Sequence, residues 1–200
     1  MNAHDPLNRL TVVLSRLPGI GRRSAERIAV KLTRDPGTLI KDLVLALQEV
    51  EQRLTACSRC GNITLRTEDP CRLCTDSRRD SRQLCVVEDP SDISMIERAG
   101  DFNGRYHALM GKLSPMKGEG MQNLRVDALI QRIHDEKVEE VILALNSDVE
   151  SDATASFLAH ALSGLPVRIS RLAFGIPAGS EISYSDPVTL ARALHGRQPV

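Results

Sequence analysis

The sequence predicts a mixed α/β protein: helices and a cysteine module first, then a parallel-sheet domain and a short helical end. Three observations carry that prediction. Apolar residues recur at helical spacing as far as Leu54, four cysteines follow in two close pairs, and from Leu84 onward short apolar runs alternate with helical patterns. A chain of 200 residues, 42% hydrophobic and 26% charged, has room for two or three small domains and is too apolar for wholesale disorder. No apolar run nears the roughly 18 residues that a membrane span needs. The start, MNAHDPLNRL, lacks the apolar stretch of a secretory signal, so a soluble cytoplasmic protein is expected.

Leu7, Leu10, Val13, Leu14 and Leu17 mark a first helix over Pro6 to Leu17. Pro18, Gly19 and Gly21 then stop it and permit a tight turn. Ala25, Ile28, Ala29 and Leu32 mark a second helix, with Ser24 in its first turn. A third, from Thr38 to Leu54, carries Leu39, Leu43, Leu47, Val50 and Leu54. In the second half, Leu84–Val87, Tyr106–Met110, Val141–Leu145 and Val167–Leu172 read as strands. Pro90–Ala99, Arg125–His134, Ala153–Ser163 and Val188–Leu194 read as the helices that alternate with them. Leu113–Met121 reads as a Gly/Pro-rich loop, and Phe174–Ser185 as an extended loop or short hairpin.

Leu17-Pro18-Gly19-Ile20-Gly21, followed by Ser24-Ala25, resembles the helix-hairpin-helix motif. Gly19 and Gly21 let the chain turn and expose backbone N–H groups at the start of the second helix. Such an end favours an anion, so a DNA phosphate is held without its base being read. Arg22, Arg23, Arg27 and Lys31 surround or follow the turn, and counterion release would supply affinity. The alternatives are an ordinary helix corner with solvated arginines, or an oligomer contact. Charge is split along the chain: residues 1–84 carry 15 Lys/Arg against 10 Asp/Glu, whereas residues 85–200 carry 11 against 16. A basic head and an acidic body suit two different partners. With no Trp, two Tyr and three Phe, base stacking on an aromatic platform is disfavoured.

Cys57-Ser-Arg-Cys60 and Cys71-Arg-Leu-Cys74 are the chemically sharpest feature. A two-residue gap lets both thiolates of a pair converge on one ion, and two such knuckles complete a tetrahedral shell. Structural Zn²⁺ is expected, with disulfides or an iron–sulfur cluster as rivals. Cys85, inside Leu84–Val87, reads as a buried small hydrophobe. A second constellation is acidic: Glu88 after the first strand, and Asp148, Glu150 and Asp152 after the Val141–Leu145 strand. Ligands gather at the carboxyl ends of parallel strands, so these acids suit either a weak Mg²⁺ site or a protein-docking face. Helix capping accounts for part of the pattern. His4, His107, His134, His160 and His195 are scattered, and Lys112 and Lys117 read as solvated loop residues.

Taken collinearly, these features resemble the bacterial recombination mediator family RecR. The resemblance runs through Arg78-Arg79-Asp80, Leu84-Cys85-Val86-Val87-Glu88-Asp89-Pro90, Tyr106-His107-Ala108-Leu109-Met110-Gly111 and Leu113-Ser114-Pro115. Glu139-Glu140-Val141-Ile142-Leu143-Ala144 and Thr189-Leu190-Ala191-Arg192-Ala193-Leu194 complete it.

The resemblance implies a helix-hairpin-helix domain at residues 1–55, a four-cysteine zinc finger at 56–76, a topoisomerase–primase (Toprim) domain at 80–176 and a C-terminal segment at 177–200. It further implies a non-enzymatic clamp and adaptor in the nucleoid. Such a clamp binds gapped or single-stranded DNA, forms a ring-like homotetramer, and acts with RecO, and in some bacteria RecF, to load RecA where single-stranded-DNA-binding protein is bound. Arg23 and Arg27 then fall at DNA-contacting positions, and Glu88 and Glu150 at Toprim acidic positions facing RecO. The enzyme-class rival is a Mg²⁺-dependent nuclease or strand-passing enzyme, for which Tyr106 and Tyr184 are the candidate nucleophiles. The acidic loop departs from the family pattern, with Asn146 where Toprim enzymes carry an aspartate and Ser151 in place of glycine. Phe174-Gly175-Ile176-Pro177-Ala178-Gly179-Ser180 and Ser183 also depart from it, losing charge in the C-terminal segment.

Overall fold

A computed structural model describes residues 5–34, 37–114, 124–173 and 175–197. The chain divides into two compact units, Met1–Thr55 and Ala56–Val200.

The first unit is helical. Helix α1 (Pro6–Leu14) starts on Asp5, whose side chain accepts from the Leu7 amide at 3.0 Å, with Pro6 at the first helical position. It ends earlier than the apolar pattern predicts. Short-range bonds from Arg16 to the Val13 carbonyl and from Leu17 to the Leu14 carbonyl tighten the chain into the turn, where Gly19 takes φ 76°. Helix α2 (Arg22–Arg34) buries Ala25, Ala29 and Leu32. Helix α3 (Leu39–Arg53) buries no residue, and Leu54 leaves it to begin a strand.

The cysteine module follows: a two-stranded sheet of β1 (Leu54–Ala56), which spans the boundary at Ala56, and β2 (Ile63–Leu65), then the single-turn helix α4 (Arg72–Thr75). The main sheet follows, with β3 (Asp80–Val87), β4 (Gly104–Ala108), β5 (Glu140–Ala144) and β6 (Arg168–Arg171) in the order β4-β3-β5-β6. All three pairings are parallel, as the strand–helix alternation predicts. The helices are α5 (Pro90–Ala99), α6 (Val126–Glu136), α7 (Val149–Ala161) and α8 (Pro187–His195).

Alternation along the strands divides the core. Leu84, Val86, Val141 and Leu143 pack with Leu129, Ile133, Leu158 and Leu162, while Cys85 and Val87 pack with Ile93, Tyr106 and Ala108. Several boundaries differ from expectation for physical reasons. β3 starts at Asp80 because its first residues pair while only partly buried, so no apolar run announces them. β4 ends at Ala108, and Met110 takes φ 65°, outside the strand region. Helix α7 starts at Val149 because Asp148 caps it, accepting from the Ser151 amide.

Between β6 and α8 the described residues 175–185 hold a short 3-10 turn at Ile182–Tyr184 and no hairpin. Of the loop expected at Leu113–Met121, residues 115–121 lie outside the described residues, as do His4, Lys117 and Phe174. Among the described residues, no helix is long and apolar enough to cross a membrane. The register sets Val87 of β3 beside Ala144 of β5, so Glu88 and Asn146 emerge together at the carboxyl edge of the sheet.

Candidate DNA, metal and docking sites

On α2, Ala25, Ala29 and Leu32 are the buried positions. Arg23, Arg27, Lys31 and Arg34 recur three or four residues apart and are exposed, so the helix carries a basic stripe opposite its apolar one. Arg22 pairs with Glu26 at 3.3 Å. Gly19 and Gly21 have open space where a Cβ would stand, so the turn leaves room for a ligand to approach the backbone. An exposed, closely spaced row of cations beside a helix N-terminus is suited to a phosphate backbone.

The four predicted ligands come together. The Sγ atoms of Cys57, Cys60, Cys71 and Cys74 all lie within 4.8 Å of one another and every side chain is buried. Backbone amides point at the sulfurs: Asn62 N–H donates to Cys60 Sγ (3.4 Å) and Cys71 N–H to Cys57 Sγ (3.3 Å). Hydrogen bonding with Cys71 and Cys74, with burial added, pushes the Cys60 thiol far up, whereas its bond with Cys60 draws Cys71 down. Four sulfurs share one small space, and a cation that takes thiolates relieves the competition for protons. Among the described residues no further cysteine or histidine joins the set, so the donors fit a closed, fold-holding site.

The module is bound to the sheet through its first knuckle. Ala108 N–H donates to the Cys60 carbonyl (2.7 Å), and Arg125 Nη2 donates to the carbonyls of Ser58 (3.0 Å) and Arg59 (3.3 Å). Gly61, at φ 83°, takes a conformation that favours glycine, and a Cβ there would stand 2.3 Å from Arg125 Nη1 and displace the guanidinium from the knuckle. Glu136 gathers Arg59 (2.9 Å), Arg105 (2.8 Å) and Arg132 (2.6 Å), tying α6 to the knuckle and to β4. Cys85 is buried as expected, and burial pushes its thiol up to about 12.

Of the two uses open to the acids, a weak Mg²⁺ site or a docking face, the first finds no converging set of three ligand atoms among the described residues. Among the described residues the four cysteines are the one group of three or more metal-type ligands that converges. Each acid is engaged by the protein instead. Both Glu88 oxygens accept from Asn146, one from its backbone N–H (3.1 Å) and one from Nδ2 (2.7 Å). Lys112 Nζ lies 2.7 Å from Asp148 and 3.3 Å from Glu150. Ser114 Oγ donates to the other Glu150 oxygen. Asp152 holds Arg171 (2.7 Å) and Arg192 (3.0 Å), which ties α8 to α7 and β6. The hydrogen bond from Lys112 holds the Asp148 carboxyl down at about 2, and the same bond raises the lysine.

Sequence reasoning missed these partners. Lys112, read as solvated, has a side chain only 25% exposed. Arg125 and Glu136, which organise the knuckle, carry no local motif. His107 is a core histidine: its ring Nε2 bonds the Arg125 carbonyl at 2.9 Å, and burial drives it down to about 3.

Comparison with known proteins agrees with this architecture. The RecR helix-hairpin-helix model matches residues 7–50, the Toprim domain model residues 82–173 and the RecR C-terminal model residues 175–198. The chain is 48% identical to the recombination protein RecR of Moorella thermoacetica over 193 residues, covering 96% of each. It is 44% identical to that of Myxococcus xanthus, over 97% of this chain and 98% of the relative. The chain belongs to the RecR family. Among further RecR relatives, that of Sphingopyxis alaskensis is 45% identical over 97% of both chains. The family, the helix-hairpin-helix, the Toprim domain and the cysteine cluster therefore stand as the sequence predicts.

Proposed function

We propose that this RecR-family chain is a DNA-repair and recombination mediator, a sequence-independent DNA clamp and protein adaptor without catalytic activity of its own. The carrying observation is the exposed basic stripe of α2, Arg23, Arg27 and Lys31, beside the open Gly19–Gly21 turn. Arg22 and the glycine amides add backbone contacts. The partner is gapped duplex or single-stranded DNA. Four functional segments divide the work: residues 1–55 hold DNA, 56–76 hold structural Zn²⁺ on Cys57, Cys60, Cys71 and Cys74, 80–176 dock protein, and 177–200 help close a homotetrameric ring.

When bound, zinc would supply rigidity, fixing the knuckle whose carbonyls Arg125 and Ala108 hold. The face of Glu88, Asp148, Glu150 and Asp152 recruits RecO, and in some settings RecF, so that RecA loads where single-stranded-DNA-binding protein is displaced. The surplus of 16 acids over 11 bases in residues 85–200 supports a basic partner there. Cytoplasmic, nucleoid-associated action follows from that substrate.

A Toprim nuclease or strand-passing enzyme is the alternative, and two side chains speak against it. The Tyr106 hydroxyl is buried and donates to Glu97 at 2.6 Å, and burial and that bond raise its pKa well above the ordinary phenol value. Lys112, moreover, already pairs with Asp148 and Glu150, two of the acids that would bind metal. Fluorescence anisotropy on a gapped duplex, with and without the cognate RecO, tests the proposal. Salt-sensitive binding that RecO strengthens is expected. Mg²⁺-dependent nicking of supercoiled plasmid that Glu88→Ala abolishes would overturn it in favour of the enzyme.

A further inference from the structure

The segment after β4 delivers a cation to the acid face and is built to do so. Met110 at φ 65° and Gly111 at φ 151° both adopt positive φ, which is uncommon for a residue such as methionine. Both residues lie just beyond the end of β4 at Ala108. Gly111 N–H donates to the Glu88 carbonyl at 3.0 Å and Leu113 N–H donates to Thr154 Oγ1 at 2.9 Å, so the backbone is anchored on both sides of Lys112. Its ammonium then bridges two carboxylates at the start of α7, Asp148 at the cap and Glu150 in the first turn.

That arrangement differs from an incidental surface pair. A flexible lysine meeting one acid in solvent needs no special backbone. Here a positive-φ methionine and two backbone anchors place one cation between two anions, and the first carboxylate is drawn well below its usual range. A hard divalent ion binding Asp148 and Glu150 would need the oxygen lone pairs and the space that the ammonium uses. Nor does Glu88 offer an easy third ligand, because both of its oxygens accept from Asn146.

We propose that Lys112 is the resident cation of the acid face: its ammonium takes the position between Asp148 and Glu150 that a divalent ion would otherwise take, and so keeps this face free of metal. The residue thereby decides between two uses of one fold. With lysine in place, the acids form a surface whose charge does not depend on the Mg²⁺ concentration. Without it, the same carboxylates become a hard-cation site. This assignment stands whether or not the face docks RecO.

Mn²⁺ is the probe, because it prefers oxygen ligands and is read directly by electron paramagnetic resonance. The zinc-loaded full chain is titrated as wild type, Lys112→Met, Lys112→Gln, Lys112→Arg and the double variant Lys112→Met/Asp148→Asn, with zinc content and circular dichroism checked for each. Lys112→Met and Lys112→Gln should each bind one Mn²⁺ per chain at least tenfold more tightly than wild type. Lys112→Arg should behave as wild type, and the double variant should lose the gain. In the wild-type chain, Mn²⁺ should leave the Lys112 side-chain NMR signal unbroadened. Equal Mn²⁺ affinity in wild type and Lys112→Met, a gain that survives Asp148→Asn, or selective broadening of Lys112 in wild type would each overturn the proposal.

Discussion

The two units of this chain manage apolar surface in opposite ways. In the sheet unit, β3 runs through the middle of a four-stranded parallel sheet, and Leu84, Val86 and Val87 are fully buried between helices on both faces. In the helical unit, burial falls on two alanines, Leu32 and Thr11, and α3 buries nothing. Leu45 and Leu47 of α3 stand 63% and 59% exposed. A sheet covered on both faces is self-sufficient, whereas a three-helix unit of about 50 residues has little interior to offer. Charge divides the same way. Glu88, Asp148, Glu150 and Asp152 of the sheet unit are tied to partners within it, while the α2 stripe is exposed. The sheet unit thus has a buried core of its own, whereas the helical unit holds most of its apolar side chains at the surface.

The largest expected effect lies at the cysteine module. Cys60→Ser removes one of four converging donors, so metal content by atomic absorption should fall below one zinc per chain. Stability should drop by several kcal/mol, since a structural zinc site contributes on the order of 10 kcal/mol. Next comes the sheet core, where Leu84→Ala should cost about 2–5 kcal/mol in urea unfolding. If the contrast between units is right, Leu45→Ala on α3 should change the stability of the dilute chain by no more than about 0.5 kcal/mol. A cost near that of Leu84→Ala would mean that α3 is covered in solution.

The smallest effect is electrostatic. Asp148 is held at about 2 by Lys112, below the ordinary carboxylate value. A depressed folded pKa contributes stability above the unfolded pKa of roughly 4 and loses it as pH falls toward about 2. Carboxyl NMR titration should therefore show Asp148 rising toward the ordinary value in Lys112→Met. No change would mean that the ion pair is absent in solution.

How much was legible beforehand depended on whether a signal was local. The C-x-x-C pairs, the Pro18–Gly21 turn and the Val141–Leu145 run are contiguous, and the structure assembles each as its spacing demands. Boundaries failed where pairing or capping overrode hydropathy. Leu54 continues the apolar period of α3 yet joins β1, and the acids after β5 looked like loop but start α7 behind the Asp148 cap. Two partners of the acid face were invisible because they lie 36 and 58 positions away: Lys112 from Asp148, and Asn146 from Glu88. Long-range ion pairs leave no period in a sequence. Lys112 looked like any loop lysine, and only the fold brings it to α7.

If α2 holds DNA through its phosphate backbone, binding must depend on salt through the α2 arginines. Anisotropy titrations of a gapped duplex are run from low to moderate salt with the wild-type chain and the Arg23→Ala/Arg27→Ala variant, on two unrelated sequences. Each neutralised phosphate contributes about 0.9 to the slope of log affinity against log salt on duplex. Losing two contacts should therefore flatten the slope by about two and weaken both sequences alike. An unchanged slope and affinity in the variant would contradict the account and move the DNA contact away from α2.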